Sequence, residues 1–240
     1  MHAPRRVSRR DNAGEQTERA VWAEWVMESD PPDYTQAALR MGDFIHNLRA
    51  SMDHAIWAAT PAAVQEATPT SVAFPLFGNK ESYEKWVERR KEWYGTALFE
   101  VLRSSQPFNA AGTNKLHPLH ILQFLSNNDK HRLLNIVANN QVGLGGVRVV
   151  PEPPGGVRSK VTTGLVQRGS VLARVEFERP AARGSVDLNP VFAYEQVLRY
   201  VDQDHLEHWL PVGEAMNVIG PAVVEAVGLV ISAHAKDSEQ

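Results

Sequence analysis

Cysteine is absent from all 240 residues. That removes disulfides, thiolate nucleophiles, zinc–cysteine sites and iron–sulfur clusters, and it suits a reducing cytoplasm. No unbroken apolar run approaches the ~18 residues of a membrane span, so the expectation is a cytoplasmic protein without membrane contact. Arg5, Arg6, Arg9 and Arg10 make the start of the chain basic, but no apolar segment follows to make a signal peptide. An excess of one charge is missing too. With 25 Lys and Arg against 28 Asp and Glu, the net charge is −3, which is no blanket lure for nucleic acid but leaves room for a local basic patch. Common catalytic signatures are lacking as well. There is no His-Glu-x-x-His. Ser51 lies in a helical stretch without a strand–turn–helix elbow. Gly143-x-Gly145-Gly146 follows a helix and precedes a strand, the reverse of the dinucleotide-binding order.

What is present suits one large soluble domain: 43% hydrophobic and 22% charged residues. Residues 1–13 read as a disordered basic tail and 14–240 as a single domain. Val21, Trp22 and Trp25 give Glu15 to Glu28 helical character. From Tyr34 to Trp57 the residues Ala37, Met41, Phe44, Ile45, Leu48, Met52 and Ile56 fall on one stripe of 3.6-residue period. Thr60 to Thr70 reads as a linker or lid, and Phe74-Pro75 as extended chain, because a residue before proline is pushed out of the α region. Lys80 to Arg103 reads as one or two helices with Gly95 as a break, and His117 to Val137 as another helix. Alternating β-branched residues between Val147 and Val186 predict three or four antiparallel strands. Phe192 to Tyr200 and Pro211 to Ala235 return to helix. The expected class is α+β: a mainly antiparallel helical bundle with a small antiparallel β-meander inserted at about 147–188.

Two polar blocks interrupt the helical stretches. The first, Gly42 to His54, contains Asp43, His46, Asn47, Arg49, Asp53 and His54. The second is Asn127-Asn128-Asp129-Lys130-His131-Arg132. Burying such groups unpaired costs roughly 2–7 kcal/mol for a neutral group and more for a charge, so they must satisfy one another or bind something. Arg49 and Asp53 are spaced i,i+4, with His46 in the same row. With Pro118, Leu122, Leu125, Leu133 and Ile136 as the stripe of the second helix, Asp129 falls near its centre and needs a cationic partner. Arg49 is the expected one, in a bidentate contact with His46 or His131 nearby. Either this is a buried ion pair that fixes helix register, or it is a functional cluster of tuned ionisable groups.

The ordered set Gly-Asp-x-x-His-Asn-Leu-Arg-x-x-x-Asp-His (Gly42 to His54), Phe-Pro-Leu-Phe (Phe74 to Phe77), Gln-Pro-Phe (Gln106 to Phe108) and Asn-x-Asp-Lys-His-Arg (Asn127 to Arg132) resembles a family of uncharacterised bacterial proteins. That resemblance implies a shared fold and site over about the first 60% of the chain. Arg49 and His54 also resemble the Arg-x4-6-His pattern of HEPN-type helical ribonucleases, which cleave RNA without metal and often as dimers. The resemblance implies His54 as general acid/base and Arg49 as stabiliser of the phosphorane. Ala50 departs from the family's usual polar residue, and the motif lies early in the chain rather than in a late helix. Chemically, a histidine trades protons near neutral pH and an arginine presents a planar fork to phosphate oxygens.

The candidate catalytic set is therefore Arg49, His54, His46, Asp53 and Asn47, and the candidate binding set is Asp129, Lys130, His131, Arg132 and Asn128. Three readings stay open. One is a HEPN-like protein that cleaves or binds RNA, as a possible homodimer and without a cofactor. The second is a helical-bundle enzyme using a divalent metal on His46, His54 and His131. The third is a non-enzymatic module that binds a partner protein, its polar cluster being structural. His117-x-x-His120 and His205-x-x-His208 read as capping or solvated pairs, and the six tryptophans as core or interface anchors.

Overall fold

Alternation, rather than helical periodicity, governs the start of the chain. The structure, a computed structural model, describes residues 6–15, 17–30, 32–110, 116–129, 136–144, 148–162, 164–180, 185–187, 190–202 and 204–239. Its strands are β1 (Val7–Asp11), β2 (Ala20–Met27), β3 (Ile136–Leu144), β4 (Arg148–Val150), β5 (Val157–Val161), β6 (Gly164–Leu165), β7 (Val171–Glu178), β8 (Ser185–Asp187), β9 (Pro190–Val201) and β10 (Glu207–Pro211). Its helices are α1 (Thr35–Ala59), α2 (Ala62–Ala67), α3 (Lys80–Glu88), α4 (Thr96–Ser104), α5 (Pro118–Asp129) and α6 (Val212–Ser238). The chain divides into two units: Met1–Tyr34 with Val137–Val197, and Thr35–Ile136 with Leu198–Gln240.

The first unit is built on an antiparallel sheet of order β1-β2-β7-β5. Val21, Ala23 and Trp25 of β2 point to the same side as Ala173, Val175 and Phe177 of β7, and with Val149 they form one buried cluster. On the other face Trp22 lies under the Arg174 guanidinium, 5.5 Å from the ring centroid. Successive strand residues point to opposite faces, so the Val-x-Ala-x-Trp spacing fills one face with apolar side chains. A second sheet has the order β10-β9-β3-β6, and β4 pairs with β8. The division between the units falls within β9.

This corrects the expected mainly helical bundle with a small inserted meander. The molecule is a mixed α+β structure in which strands open the chain and continue past residue 188. Residues 7–11 are strand where a disordered tail is expected, because they pair in register with Ala23 to Met27 of β2. Glu15 to Glu28 and Phe192 to Tyr200 are not helices. Both are short runs rich in β-branched and aromatic residues, where spacing alone does not separate the two periods. The expected helix from His117 to Val137 is described as α5 up to Asp129 and does not reach Val137, because Ile136 already belongs to β3. Ile136 therefore lies off the α5 stripe, and Leu133 lies outside the described residues.

The second unit centres on α6, against which α1, α4 and α5 all pack. Ala215, Ile219, Val223, Ala226, Val230 and Ala233 form its buried stripe at spacings of three and four. By length and composition α6 could also cross a membrane, although Glu214, Asn217 and Glu225 interrupt its apolar residues. The α1 stripe holds as expected at Met41, Ile45, Met52 and Ile56, all buried. The 60–70 linker contains α2 and a 3₁₀ turn. Gly95 does separate two helices, α3 and α4. The Asp237 carboxylate of α6 accepts from the Ala97 and Leu98 amides at 3.1 and 3.0 Å, so the end of α6 caps the start of α4.

Candidate functional site

The Arg49–Asp53 row of α1 meets the extended segment from Phe74 to Phe77. Arg49 Nη2 lies 3.1 Å from Asp53 Oδ1 and donates to the Phe74 carbonyl at 2.6 Å. Asp53 Oδ1 accepts from the Phe74 amide at 2.8 Å. The i,i+4 pair thus holds both backbone groups of Phe74, as a neighbouring strand would. Burial holds the Arg49 guanidinium below its ordinary value, and the Asp53 carboxylate offsets only part of this.

Two glutamines complete the frame. Gln106, fully buried, accepts from the Phe77 amide at 2.9 Å and donates to the Pro75 and Leu102 carbonyls at 3.0 and 2.7 Å. Gln123 of α5 donates to the Leu76 carbonyl at 2.9 Å. A backbone segment between helices has no ladder of its own, and these side chains supply its hydrogen bonds. Gln106 sits in the Gln-Pro-Phe motif, but its spacing gives no sign that its partners lie thirty residues earlier. Gln123 has no signal in the sequence beyond a polar residue between Leu122 and Phe124.

Between α1 and α5 lies a polar cavity of about 90 Å³ lined by Arg49, Leu76, Gln123, Ser126 and Asn127. Arg49 comes from the first polar block and Asn127 opens the second, so the two blocks meet here. Among the other candidates, His46, Asn47 and His54 are exposed on α1. Asn128 is exposed and donates to the Phe124 carbonyl at 2.9 Å. Lys130, His131, Arg132 and the Asp129 side chain lie outside the described residues, and with them the expected Asp129–Arg49 contact. The described partners of Arg49 are Asp53 and Phe74. Among the described residues no three His, Asp or Glu side chains gather to hold a metal ion, and His131 of the metal alternative is outside that set.

A separate titratable group joins α5 to the β9–β10 hairpin. His120 Nδ1 is hydrogen-bonded to the Tyr200 hydroxyl. The Tyr200 ring lies 5.8 Å from that of His208, and His208 Nε2 bonds Asp202 Oδ2 at 2.6 Å. The Asp204 and Leu206 amides fix the other Asp202 oxygen. Burial pushes Tyr200 well up and His120 down, with Asp202 partly restoring the histidine. The His208 hydrogen bond holds the Asp202 carboxyl below the usual range, against the effect of its burial, and the two amides add to this. His117 Nδ1 accepts from the Leu119 amide at 3.2 Å, a capping role as the spacing suggests. His205 and His208 lie in a turn and a strand instead of on a helix.

Compared with protein-family models, with curated proteins and with solved structures, the chain gives no significant match, and the chemistry of its motifs has to be read from this geometry.

Proposed function

We propose that the protein binds RNA in a HEPN-like manner, with the polar cavity between α1 and α5 taking a backbone phosphate. The observation that supports this reading is the convergence of Arg49 and Asn127, one from each polar block, on that cavity. Arg49 is already oriented by Asp53 and Phe74, so little freedom is lost when it meets an anion. Its planar fork suits phosphate oxygens, and Gln123, Ser126 and Asn127 add neutral polar groups around it. Arg49 and His54 are five residues apart, about 140° round a helix at ~100° per residue, so cleavage through this pair calls for His54 from a second copy. A second reading is favoured by the Arg49 and Asp53 bonds to Phe74: the cluster is a structural latch in a non-enzymatic interaction module.

Fluorescence anisotropy with a labelled single-stranded RNA in EDTA separates the two. Asn127→Asp puts a negative charge in the cavity without touching the Phe74 bonds. It should weaken RNA binding about tenfold or more, of the order expected for one charge-assisted contact, with the unfolding midpoint unchanged. RNA binding that is absent, or indifferent to this substitution, would leave the latch as the role of the cluster. Denaturing gels of the same mixtures report cleavage, which His54→Ala should then abolish.

A further inference from the structure

An open groove of about 520 Å³ lies beside the start of α3, lined by Gly78, Asn79, Lys80, Arg103, Phe108 and Asn109. Ligand pockets run roughly 300–1,000 Å³, so the volume is that of a small-molecule site. Its frame is fixed. Asn79 Oδ1 accepts from the Ser82 amide at 2.8 Å. Asn109 donates both its amide hydrogens, to the Arg103 and Ser104 carbonyls at 2.8 and 3.0 Å. What Asn109 has left to offer a ligand is its oxygen. Phe108 is held from behind by Tyr83, with ring centroids 5.7 Å apart.

The charges are arranged unusually. Lys80 Nζ and Arg103 Nη2 stand 3.7 and 3.8 Å from the same Glu84 oxygen. Both separations exceed hydrogen-bond length, so one carboxylate gathers two cations without occupying their donors. Two positive charges and one negative leave a net positive groove with an aromatic side chain and an amide oxygen in its wall. A phosphate would take the cations, and a nucleobase has a face for Phe108 and donors for Asn109.

We propose that this groove binds a nucleoside phosphate, with Lys80 and Arg103 on the phosphate, Phe108 against the base, and Glu84 as a resident competitor for the two cations. The site is distinct from the Arg49 cavity and does not depend on it. The same chemistry is presented by a free nucleotide and by a nucleic-acid strand, and the probes distinguish them. Calorimetric titration with AMP and anisotropy with a labelled uridine oligonucleotide are run on the wild-type chain, on Lys80→Ala/Arg103→Ala and on Glu84→Gln, each checked for an unchanged unfolding midpoint.

Losing both cations should weaken binding at least about tenfold. Removing the competitor should tighten it about threefold, the size of an exposed ion-pair effect. This pattern with AMP identifies a nucleotide site, and the pattern with the oligonucleotide alone identifies a strand-binding site. Binding of neither probe, or binding that none of these substitutions moves, would overturn the proposal. Asn127→Asp leaves this groove intact, so failure here and failure of the Arg49 reading are told apart.

Discussion

Gln106 stands in for a missing strand. Its amide meets the backbone of Pro75, Phe77 and Leu102 at once, in a setting with no solvent exposure. Truncation would leave the Phe77 N–H and the Pro75 carbonyl without this partner, and each such group costs about 1–3 kcal/mol. Gln106→Ala should therefore lower stability by about 3 kcal/mol, read as a shift of the urea midpoint at unchanged slope. A loss under about 1 kcal/mol would mean that those backbone groups have other partners. At this scale the sequence is half legible. The Arg49–Asp53 pair follows from helical spacing. Its use does not, because the groups it holds are backbone atoms of a segment with no polar side chain to announce it.

Between elements, the contact of α4 with α6 turns on one hydrogen atom. A Cβ at Gly95 would overlap the Asp237 carboxylate, and that carboxylate is the cap of α4. Gly95→Ala should displace it and cost about 1–2 kcal/mol, the range for loss of an N-cap. Asp237→Ala should cost a similar amount, and adding it to Gly95→Ala should cost little more, since both remove the same interaction. Fully additive losses in thermal unfolding would show that the glycine matters for some other reason. The helices α1, α3, α4 and α6 and the break at Gly95 are visible in periodicity and punctuation. β2 and β9 are not, because Val-Trp-Ala-Glu-Trp-Val and Phe-Ala-Tyr-Glu-Gln-Val place apolar groups at spacings that serve either period. Ile136 misleads for a similar reason: it falls in phase with Leu122 and Leu125 of α5 but belongs to β3.

For the whole molecule, stability should depend on pH in a defined direction. Burial lowers the pKa values of His117 and His120 in the folded chain, so at these two sites the unfolded chain binds protons more readily. Their contribution is complete above the ordinary imidazole value of about 6.5 and is lost as pH falls through the lowered folded values. Asp202, held down chiefly by His208, acts in the same sense at more acid pH, below the usual carboxylate range. The urea midpoint should hold steady above about pH 7 and decline towards pH 5. His120→Gln should flatten that decline. A midpoint that rises on acidification would contradict the burial of these rings.

The position of α6 has a consequence for how the chain is made. Ile219, Val223 and Val230 supply the packing surface for α1, α4 and α5, yet α6 follows them by the whole of the intervening β region. A ribosome delivers those earlier helices long before their common partner exists. Until α6 emerges, helices that hold Met52, Ile56, Leu98, Leu102, Leu122 and Leu125, all sealed from water in the finished protein, lack the partner they share. Contacts so distant in sequence also form slowly, and chains with exposed apolar surface aggregate or recruit chaperones in that interval. A chain cut short before α6 should therefore stay open to water along these helices and aggregate, which sedimentation of the truncated polypeptide would check.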